Sequence, residues 1–279
     1  HSSEEYQIAA YSAPDPSYWR LSAELHDLDW LIQHVTPGED VVITNVTDDY
    51  GVLVLAGPKS RDVLSGLSDT DLTNESGFTW MHAKEIKVAG IPVRALRVSY
   101  VGELGWELHC KMDVLKSLHD VVISAGETNN IRHFGTYALN SLRMEKGYKA
   151  WGSELTTEIS LIEADMRRFI RKEGGYIGSQ VVQQKKKDGV PLHLVYCEVE
   201  AGDADPMGNE PIYDGDNIIG ITTSGAYGHC VQKSLMFAYV NSGFESPGTS
   251  FEVGILGKRR KTIVLAESAW DPGNTRLKV

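Results

Sequence analysis

Apolar residues along the first two thirds of the chain follow both helical and strand spacing. Between residues 20 and 35 they recur three or four positions apart, which is the period of an amphipathic helix, and Pro37-Gly38 ends the pattern. Helices are also predicted at 60–67, 115–125 and 137–148, and 160–170 is a further helix candidate whose type the sequence leaves open. Short apolar runs predict strands at 6–8, 41–43, 51–56, 83–88, 91–98 and 106–110. Ala89-Gly90 between two of these runs predicts a hairpin.

The last third of the chain has a different pattern. Apolar runs of strand length alternate there with glycine and proline turns, at 192–199, 211–213, 218–222, 235–240, 251–256 and 262–265. Six short strands at this spacing favour a small β barrel or sandwich. Gly174-Gly175 and the lysine run 185–187 precede the change, which predicts one domain over 1–186 and a second over 187–279. The lysine run is interpreted as a solvated helix end, with a basic binding patch as the alternative.

Composition excludes several classes of protein. The net charge is −11, which disfavours nucleic acid, because affinity for nucleic acid depends on neutralising phosphates. The chain has no apolar run of about 20 residues, the length that a membrane span needs. The three cysteines, Cys110, Cys197 and Cys230, form no CxxC pair, and no His, Asp or Glu spacing predicts a metal site. An anionic ligand could still bind in a local basic pocket.

The segment 97–109 is the first candidate for ligand chemistry. It places Glu103 between two glycines, with Tyr100 and Trp106 close in sequence, at a strand-turn-strand junction. Glycines there let the backbone bend sharply or approach a ligand. A carboxylate in such a turn can accept two parallel N–H bonds from a planar heterocycle, and a pteridine has that edge. The alternative is an ordinary hairpin with an exposed glutamate.

Two further segments are candidates. In 141–152, Arg143 and Lys146 lie three apart on a predicted helix, so together they can hold a carboxylate tail, and Trp151 adds a flat surface. The alternative is a helix with solvated charges and aromatic residues in the core. In 220–228, hydroxyls and glycines surround Tyr227, which predicts a loop that closes over a ligand or only turns a corner. Dinucleotide, phosphate-loop, serine-hydrolase and zinc-protease motifs are absent.

Taken in order, these segments resemble the glycine-cleavage T-protein family. The matching turn is Tyr100-Val-Gly-Glu-Leu-Gly-Trp-Glu107, and the matching helix is Ser141-Leu-Arg-Met-Glu145. The residues of these motifs are closer to those of the folate domains at the C-terminal end of dimethylglycine and sarcosine dehydrogenases. Supporting segments are 24–30, 52–58, 134–140, 149–152 and 222–228. The resemblance spans nearly the whole chain and implies an α+β aminomethyltransferase-type folate-binding domain followed by a C-terminal β barrel.

The resemblance also implies a reaction. In such enzymes a flavin domain oxidises an N-methyl amine to an iminium, and tetrahydrofolate captures the one-carbon unit as 5,10-methylene-tetrahydrofolate. By analogy Glu103 reads the pteridine, Tyr100 lines its pocket, Arg143 lies near the folate, and Trp151 and Tyr227 complete the cofactor-binding set. FAD is expected in the parent enzyme, in an upstream flavin domain or subunit, and not in this chain. No catalytic residue is assigned.

One feature departs from the family pattern. An early acidic hairpin that positions the folate amine in the family precedes the segment resembling 6–30, and this chain starts without it and without a methionine. We therefore expect an incomplete chain that is inactive alone. A free-standing aminomethyltransferase of the glycine cleavage system and a non-catalytic regulatory relative remain as alternatives. The expected location is the cytoplasm of a bacterium or the mitochondrial matrix of a eukaryote.

Overall fold

The computed structural model describes residues 24–73 and 77–279. The strand expected at 6–8 and the first residues of the helix expected from 20 lie outside this part. Two compact units are distinguished by their internal contacts. Among the described residues, the sheet unit comprises 24–73, 77–99, 103–133 and 276–279, and the barrel unit comprises 100–102 and 134–275. These contact-based units leave the domain boundary predicted at residue 186 untested.

The sheet unit is built around four antiparallel strands in the order β1-β4-β3-β2. The strands are β1 (Tyr50–Ala56), β2 (Ala83–Val88), β3 (Ile91–Leu96) and β4 (Gly105–Lys111). The helices are α1 (Glu24–Gln33), α2 (Ser60–Ser65) and α3 (Leu115–Gly126). The predicted hairpin is confirmed, with Val88 opposite Ile91 across Ala89-Gly90.

One face of this sheet carries an apolar core. Because side chains alternate along a strand, Trp106, Leu108 and Cys110 of β4 point to the same side. Trp106 is fully buried and meets the ring of Phe78 edge to face, with ring centroids 6.3 Å apart. Leu64 of α2 and Leu118 of α3 belong to the same cluster. The helical spacing read from the sequence therefore marks the side chains that α2 and α3 bury.

The barrel unit contains a closed six-stranded barrel in the order β10-β5-β8-β7-β6-β9. Its strands are β5 (Leu192–Val199), β6 (Pro211–Asp214), β7 (Asn217–Gly228), β8 (Lys233–Asn241), β9 (Ser250–Ile255) and β10 (Lys258–Val264). The helices α4 (Thr136–Glu145) and α5 (Ser179–Asp188) precede it, and α6 (Thr275–Lys278) follows. All six strands predicted from the spacing of apolar runs are present, and they form a barrel.

Two apolar clusters stabilise the barrel unit. One fills the barrel with alternate side chains of its strands, including Ile212, Met236 and Val253. The other joins Met144 of α4 to Phe237 of β8 and its neighbours. Helix α4 is thus packed against the barrel through β7 and β8. This contact places the residues of the segment 141–152 beside the strand that carries Tyr227.

Two predicted elements are wrong. Residues 41–43 form no strand, since Val41 and Val42 are exposed and the run has no strand partner in the part of the chain described. Residues 160–170 form turns and a short 3₁₀ helix, Arg167–Phe169, in place of an α-helix. Asp165 has a φ of +52°, and this left-handed residue interrupts any helix after one turn.

The loop predicted at 220–228 is also wrong, since these residues belong to strand β7. Its glycines serve close backbone packing within a strand. A Cβ atom on Gly220 would lie 2.2 Å from the carbonyl oxygen of Tyr239, and one on Gly225 would lie 2.3 Å from that of Pro206. A register shift between Thr222 and Ser224 bends the strand at this point.

No α-helix within the described ranges combines the length and apolar character that crossing a bilayer requires.

Candidate functional site

Glu103 occupies the bend that leads from β3 into β4. Its backbone N–H points to the Ser99 hydroxyl at 3.4 Å, and β4 begins two residues later. The side chain is 17% exposed, and its carboxylate oxygens lie 3.3 and 3.5 Å from Nη1 of Arg276. These distances exceed the usual range for an N–H···O bond of about 2.7–3.2 Å. The carboxylate therefore keeps the capacity to accept shorter bonds from a ligand.

Tyr100 lies in the barrel unit and is held at both ends of its side chain. Its hydroxyl donates to the carbonyl oxygen of Lys149 at 2.9 Å, and its ring stacks on Tyr148 with centroids 6.0 Å apart. Burial raises the pKa of Tyr100 to about 12, against a smaller lowering by Arg143. Burial lowers the pKa of the Lys149 amine, partly offset by Asp165. The two stacked rings form an aromatic surface that the hydroxyl bond of Tyr100 joins to the backbone of Lys149.

Arg143 is buried on α4 and has three hydrogen bonds to its own unit. Its Nε donates to Asn140 at 2.9 Å, and its Nη1 donates to the carbonyl oxygen of Tyr148 and to Glu154, each at 3.0 Å. Nη2 has no hydrogen-bond partner among the described residues. It is not fully buried, so a ligand can reach it. One donor thus remains for a ligand.

The Arg143–Lys146 clamp expected on a helix surface is not what the structure shows. Both side chains are buried, since the amine of Lys146 reaches the carbonyl oxygen and carboxylate of Asp271. The helix turns this face toward the barrel, which the three-residue spacing alone does not reveal. The prediction that Arg143 and Lys146 together hold a flexible anionic tail is therefore wrong. The contact of Arg143 with folate stays a prediction.

Trp151 and Tyr227 fall in the same unit as Tyr100 and Arg143. Trp151 is half-buried and forms an isolated parallel bridge with Leu155. Tyr227 lies on β7 with its ring partly exposed and edge-on to His229. Its carbonyl oxygen accepts a 2.6 Å bond from the Ser141 hydroxyl, which ties β7 to α4. Glu103 belongs to the sheet unit, so its geometry is described with that unit alone.

Two family models match the sequence in the same order as the described elements. Residues 11–174 match the GCVT N-terminal domain, and residues 193–271 match the glycine cleavage T-protein C-terminal barrel domain. The first match alone covers more than half of the chain. The chain belongs to the glycine cleavage T-protein family.

Relatives within the T-protein family include two kinds of enzyme. Mitochondrial dimethylglycine dehydrogenase from Homo sapiens is 42% identical over 248 residues, which are 88% of this chain and 28% of that protein. Aminomethyltransferase from Bacillus pumilus is 30% identical over 244 residues, which are 86% of this chain and 65% of that protein. The chain thus spans less than a third of the dehydrogenase and under two thirds of the aminomethyltransferase.

A solved T-protein structure shares the fold. The glycine cleavage system aminomethyltransferase T from Bartonella henselae superposes with a TM-score of 0.77 and 21% identity, covering 89% of this chain and 66% of that one. The expected architecture, an aminomethyltransferase-type α+β domain followed by a β barrel, is confirmed. The resemblance to the T-protein family read from the turn and helix motifs is confirmed as well.

Sequence reasoning missed one residue that the T-protein fold places beside Arg143. Glu154 is fully buried and accepts hydrogen bonds from Arg143, the Ala150 N–H and the hydroxyls of Thr223 and Ser224. Its spacing from Arg143 matches no motif, since the contact forms through a turn. Adjacent hydroxyl residues in an otherwise apolar strand were the available signal. No group of three or more potential metal ligands occurs within 24–73 and 77–279.

Proposed function

We propose that this chain is the tetrahydrofolate-binding, one-carbon transfer domain of a dimethylglycine dehydrogenase-like N-demethylating oxidoreductase. It would capture the one-carbon unit of an iminium as 5,10-methylene-tetrahydrofolate. Identity supports this assignment, since the dehydrogenase is 42% identical and the aminomethyltransferases are about 30% identical. Oxidation of the N-methyl amine, dimethylglycine or sarcosine in type, would occur at FAD in a preceding domain or subunit.

A single observation carries the folate assignment: the weakly engaged carboxylate of Glu103 in its glycine-flanked bend. Two carboxylate oxygens can accept parallel N–H bonds from the amino group and adjacent ring nitrogen of a pterin. In the proposed complex Tyr100 offers its ring to the ligand, and Arg143 donates through Nη2. Trp151 and Tyr227 contribute further apolar contact. The donor and acceptor types present therefore fit a reduced folate.

The residues of this chain would act by positioning. When bound, tetrahydrofolate supplies the nucleophilic nitrogens, one in the pterin ring and one beside it. The Glu103 carboxylate would fix the pterin edge. Holding two reactive partners in the right geometry accounts for several kcal/mol of a barrier, about 7–11 kcal/mol in well-oriented intramolecular cases. Exclusion of water by the aromatic residues would protect the one-carbon unit from hydrolysis.

Calorimetric titration with tetrahydrofolate tests the assignment. The Glu103→Ala variant should bind at least tenfold more weakly, because a charge-assisted bidentate contact contributes about 1.5–3 kcal/mol. Glu85→Ala is the matched control, since Glu85 is an exposed carboxylate of the same unit that pairs with Arg94. Equal affinities of the wild type and Glu103→Ala would remove Glu103 from the site.

A free-standing aminomethyltransferase is the second candidate. The match to the Bacillus pumilus aminomethyltransferase supports it, at 30% identity over 244 residues. The two candidates differ in the donor of the one-carbon unit. Formation of 5,10-methylene-tetrahydrofolate from an aminomethylated lipoyl carrier would favour the aminomethyltransferase. Formation that requires a methylated amine and a flavin domain would favour the proposal above. The human relative is mitochondrial by name, and the mitochondrial matrix is the proposed location in a eukaryote.

A further inference from the structure

Among the described carboxylates of the barrel unit, Glu154 is the most completely buried, with an exposed fraction of 0%. Each of its side-chain oxygens accepts two hydrogen bonds. Oε1 accepts from Thr223 at 2.7 Å and from Ser224, and Oε2 accepts from Arg143 at 3.0 Å and from the Ala150 N–H at 2.7 Å. Its own carbonyl oxygen accepts from Tyr239 at 2.7 Å. The four donors to its side chain compensate this buried carboxylate for its lost contacts with water.

The donors come from three separate segments of the unit. Arg143 belongs to α4, Ala150 to the turn after it, and Thr223 and Ser224 to β7. The register shift in β7 between Thr222 and Ser224 lets both adjacent hydroxyls reach one carboxylate. In a regular strand, neighbouring side chains point to opposite faces. The bend in β7 therefore lets Thr223 and Ser224 bind Glu154, and Glu154 in turn binds Arg143 of α4.

The contacts of Arg143 leave it one direction in which to donate. A guanidinium is planar and rigid, so bonds from Nε to Asn140 and from Nη1 to Glu154 fix its plane. Nη2 is then held at one position and angle, without a partner among the described residues. Without Glu154 the guanidinium plane of Arg143 would be held less firmly, because the remaining partners of Nη1 and Nε are neutral oxygens of Tyr148 and Asn140.

The pair also has a defined charge. Arg143 and Glu154 together carry no net charge, so the pair attracts an anion far less than a lone arginine would. A donor that is neutralised and directional suits an uncharged acceptor, such as a carbonyl oxygen. A folate has such acceptors in its pterin ring and its amide, whereas its glutamate tail is anionic.

We infer that Glu154 is a positioning residue that neutralises Arg143 and aims its Nη2 at an uncharged carbonyl oxygen of the ligand. The inference rests on the proposed folate function. Glu154 acts through Arg143 and need not touch the ligand. Its effect on binding must therefore disappear when Arg143 is absent.

A double-mutant cycle tests this dependence. Tetrahydrofolate is titrated calorimetrically into the wild type, Glu154→Gln, Arg143→Met and the double variant, after circular dichroism has shown that each is folded. Glu154→Gln should weaken binding about tenfold, and the double variant should bind no more weakly than Arg143→Met. Additive losses would overturn the inference, because they would show a general structural effect. Glu163→Gln is the matched control, since Glu163 is a buried carboxylate of the same unit paired with Lys185, and it should bind like the wild type.

A milder variant keeps the test decisive if Glu154→Gln does not fold. Thr223→Val removes one donor to the carboxylate while retaining side-chain shape. It should weaken binding about threefold in the wild-type background and not at all in Arg143→Met. An equal loss in both backgrounds would overturn the inference. A wild type that does not bind tetrahydrofolate would instead refute the proposed function, and that result is separate from the cycle.

Discussion

The core of the sheet unit and the contact between α4 and β7 in the barrel unit are held together by different kinds of side chain. In the sheet unit, Trp106, Phe78 and Leu118 pack into a cluster of apolar residues. At the α4–β7 contact, the buried carboxylate of Glu154 accepts hydrogen bonds from the guanidinium of Arg143 and from the hydroxyls of Thr223 and Ser224 in β7.

The difference shows where the fold can carry specific recognition. Apolar packing stabilises through many weak contacts and tolerates changes that conserve volume. Hydrogen bonds weaken steeply when their angle departs from linearity, so a network of them fixes the direction of each donor. Ligand recognition needs that directional control. Arg143, which such a network orients, is also a ligand contact implied by the family resemblance of the sequence.

Deleting the largest side chain of the apolar core should have the largest effect. Trp106→Ala should lower the free energy of unfolding by about 3–5 kcal/mol, because it leaves a cavity in a core that cannot collapse fully. Urea denaturation followed by circular dichroism measures this. Val52→Ala, on the exposed side of β1, is the control and should change stability by less than about 0.5 kcal/mol. Similar losses for the two variants would contradict the assignment of the core to that sheet face.

Replacing Arg143 should weaken folate binding by a factor that does not depend on the charge of the folate tail. Arg143→Met should weaken tetrahydrofolate and its triglutamate form by the same factor, about tenfold or 1.4 kcal/mol, because Glu154 already neutralises the arginine. Parallel calorimetric titrations measure the two affinities. A much larger loss for the triglutamate form would restore the tail-binding role expected from the spacing of Arg143 and Lys146.

The barrel unit contains a second carboxylate network at Glu210, and it should show a smaller, pH-dependent effect. Burial acts to raise the pKa of Glu210, but hydrogen bonds from Thr222 and the N–H groups of Met207 and Gly208 outweigh it, so the pKa is lowered. The stabilisation is present above the unfolded pKa of about 4.3 and is lost as the pH falls through the lower folded value.

Glu210→Gln should therefore cost about 1 kcal/mol at neutral pH and almost nothing in acid below the folded pKa. Urea denaturation of the variant and wild type across this range measures the difference. A difference that stays constant from neutral pH into acid would show that ionisation of Glu210 contributes no stability.

Tyr100→Phe should give a small effect, similar in size to that of Glu210→Gln. Loss of the hydroxyl bond to Lys149 should cost about 0.5–1.5 kcal/mol of stability. Because burial raises the pKa of Tyr100 to about 12, its phenol should stay protonated at alkaline pH where exposed tyrosines ionise. Ultraviolet titration up to pH 11 should give equal phenolate signals for variant and wild type. A wild-type signal larger by one tyrosine below pH 11 would place Tyr100 in solvent.

Local spacing was sufficient to predict most of the fold, because strands and helices bury side chains at fixed intervals. The hairpin of β2 and β3 and the six barrel strands follow directly from such intervals. The run 41–43 was misleading, since an apolar run forms a strand only when a neighbouring strand pairs with it. The segment 160–170 failed because a single left-handed residue, Asp165, outweighs apolar periodicity.

The candidate site was less predictable than the fold. Motifs singled out Glu103, Tyr100 and Arg143, but the burial of Arg143 depends on how α4 packs against β7, which spacing along one helix does not specify. The contact between Arg143 and Glu154 forms through a turn, and that of Glu154 with Thr223 and Ser224 joins residues about 70 apart in sequence. Only the three-dimensional structure brings these side chains together.

A crystal structure of the protein with bound tetrahydrofolate would test the folate assignment most directly. The account predicts that both carboxylate oxygens of Glu103 lie about 2.7–3.2 Å from two nitrogens on one edge of the pterin. A pterin bound elsewhere, with the Glu103 carboxylate directed into bulk solvent, would contradict it.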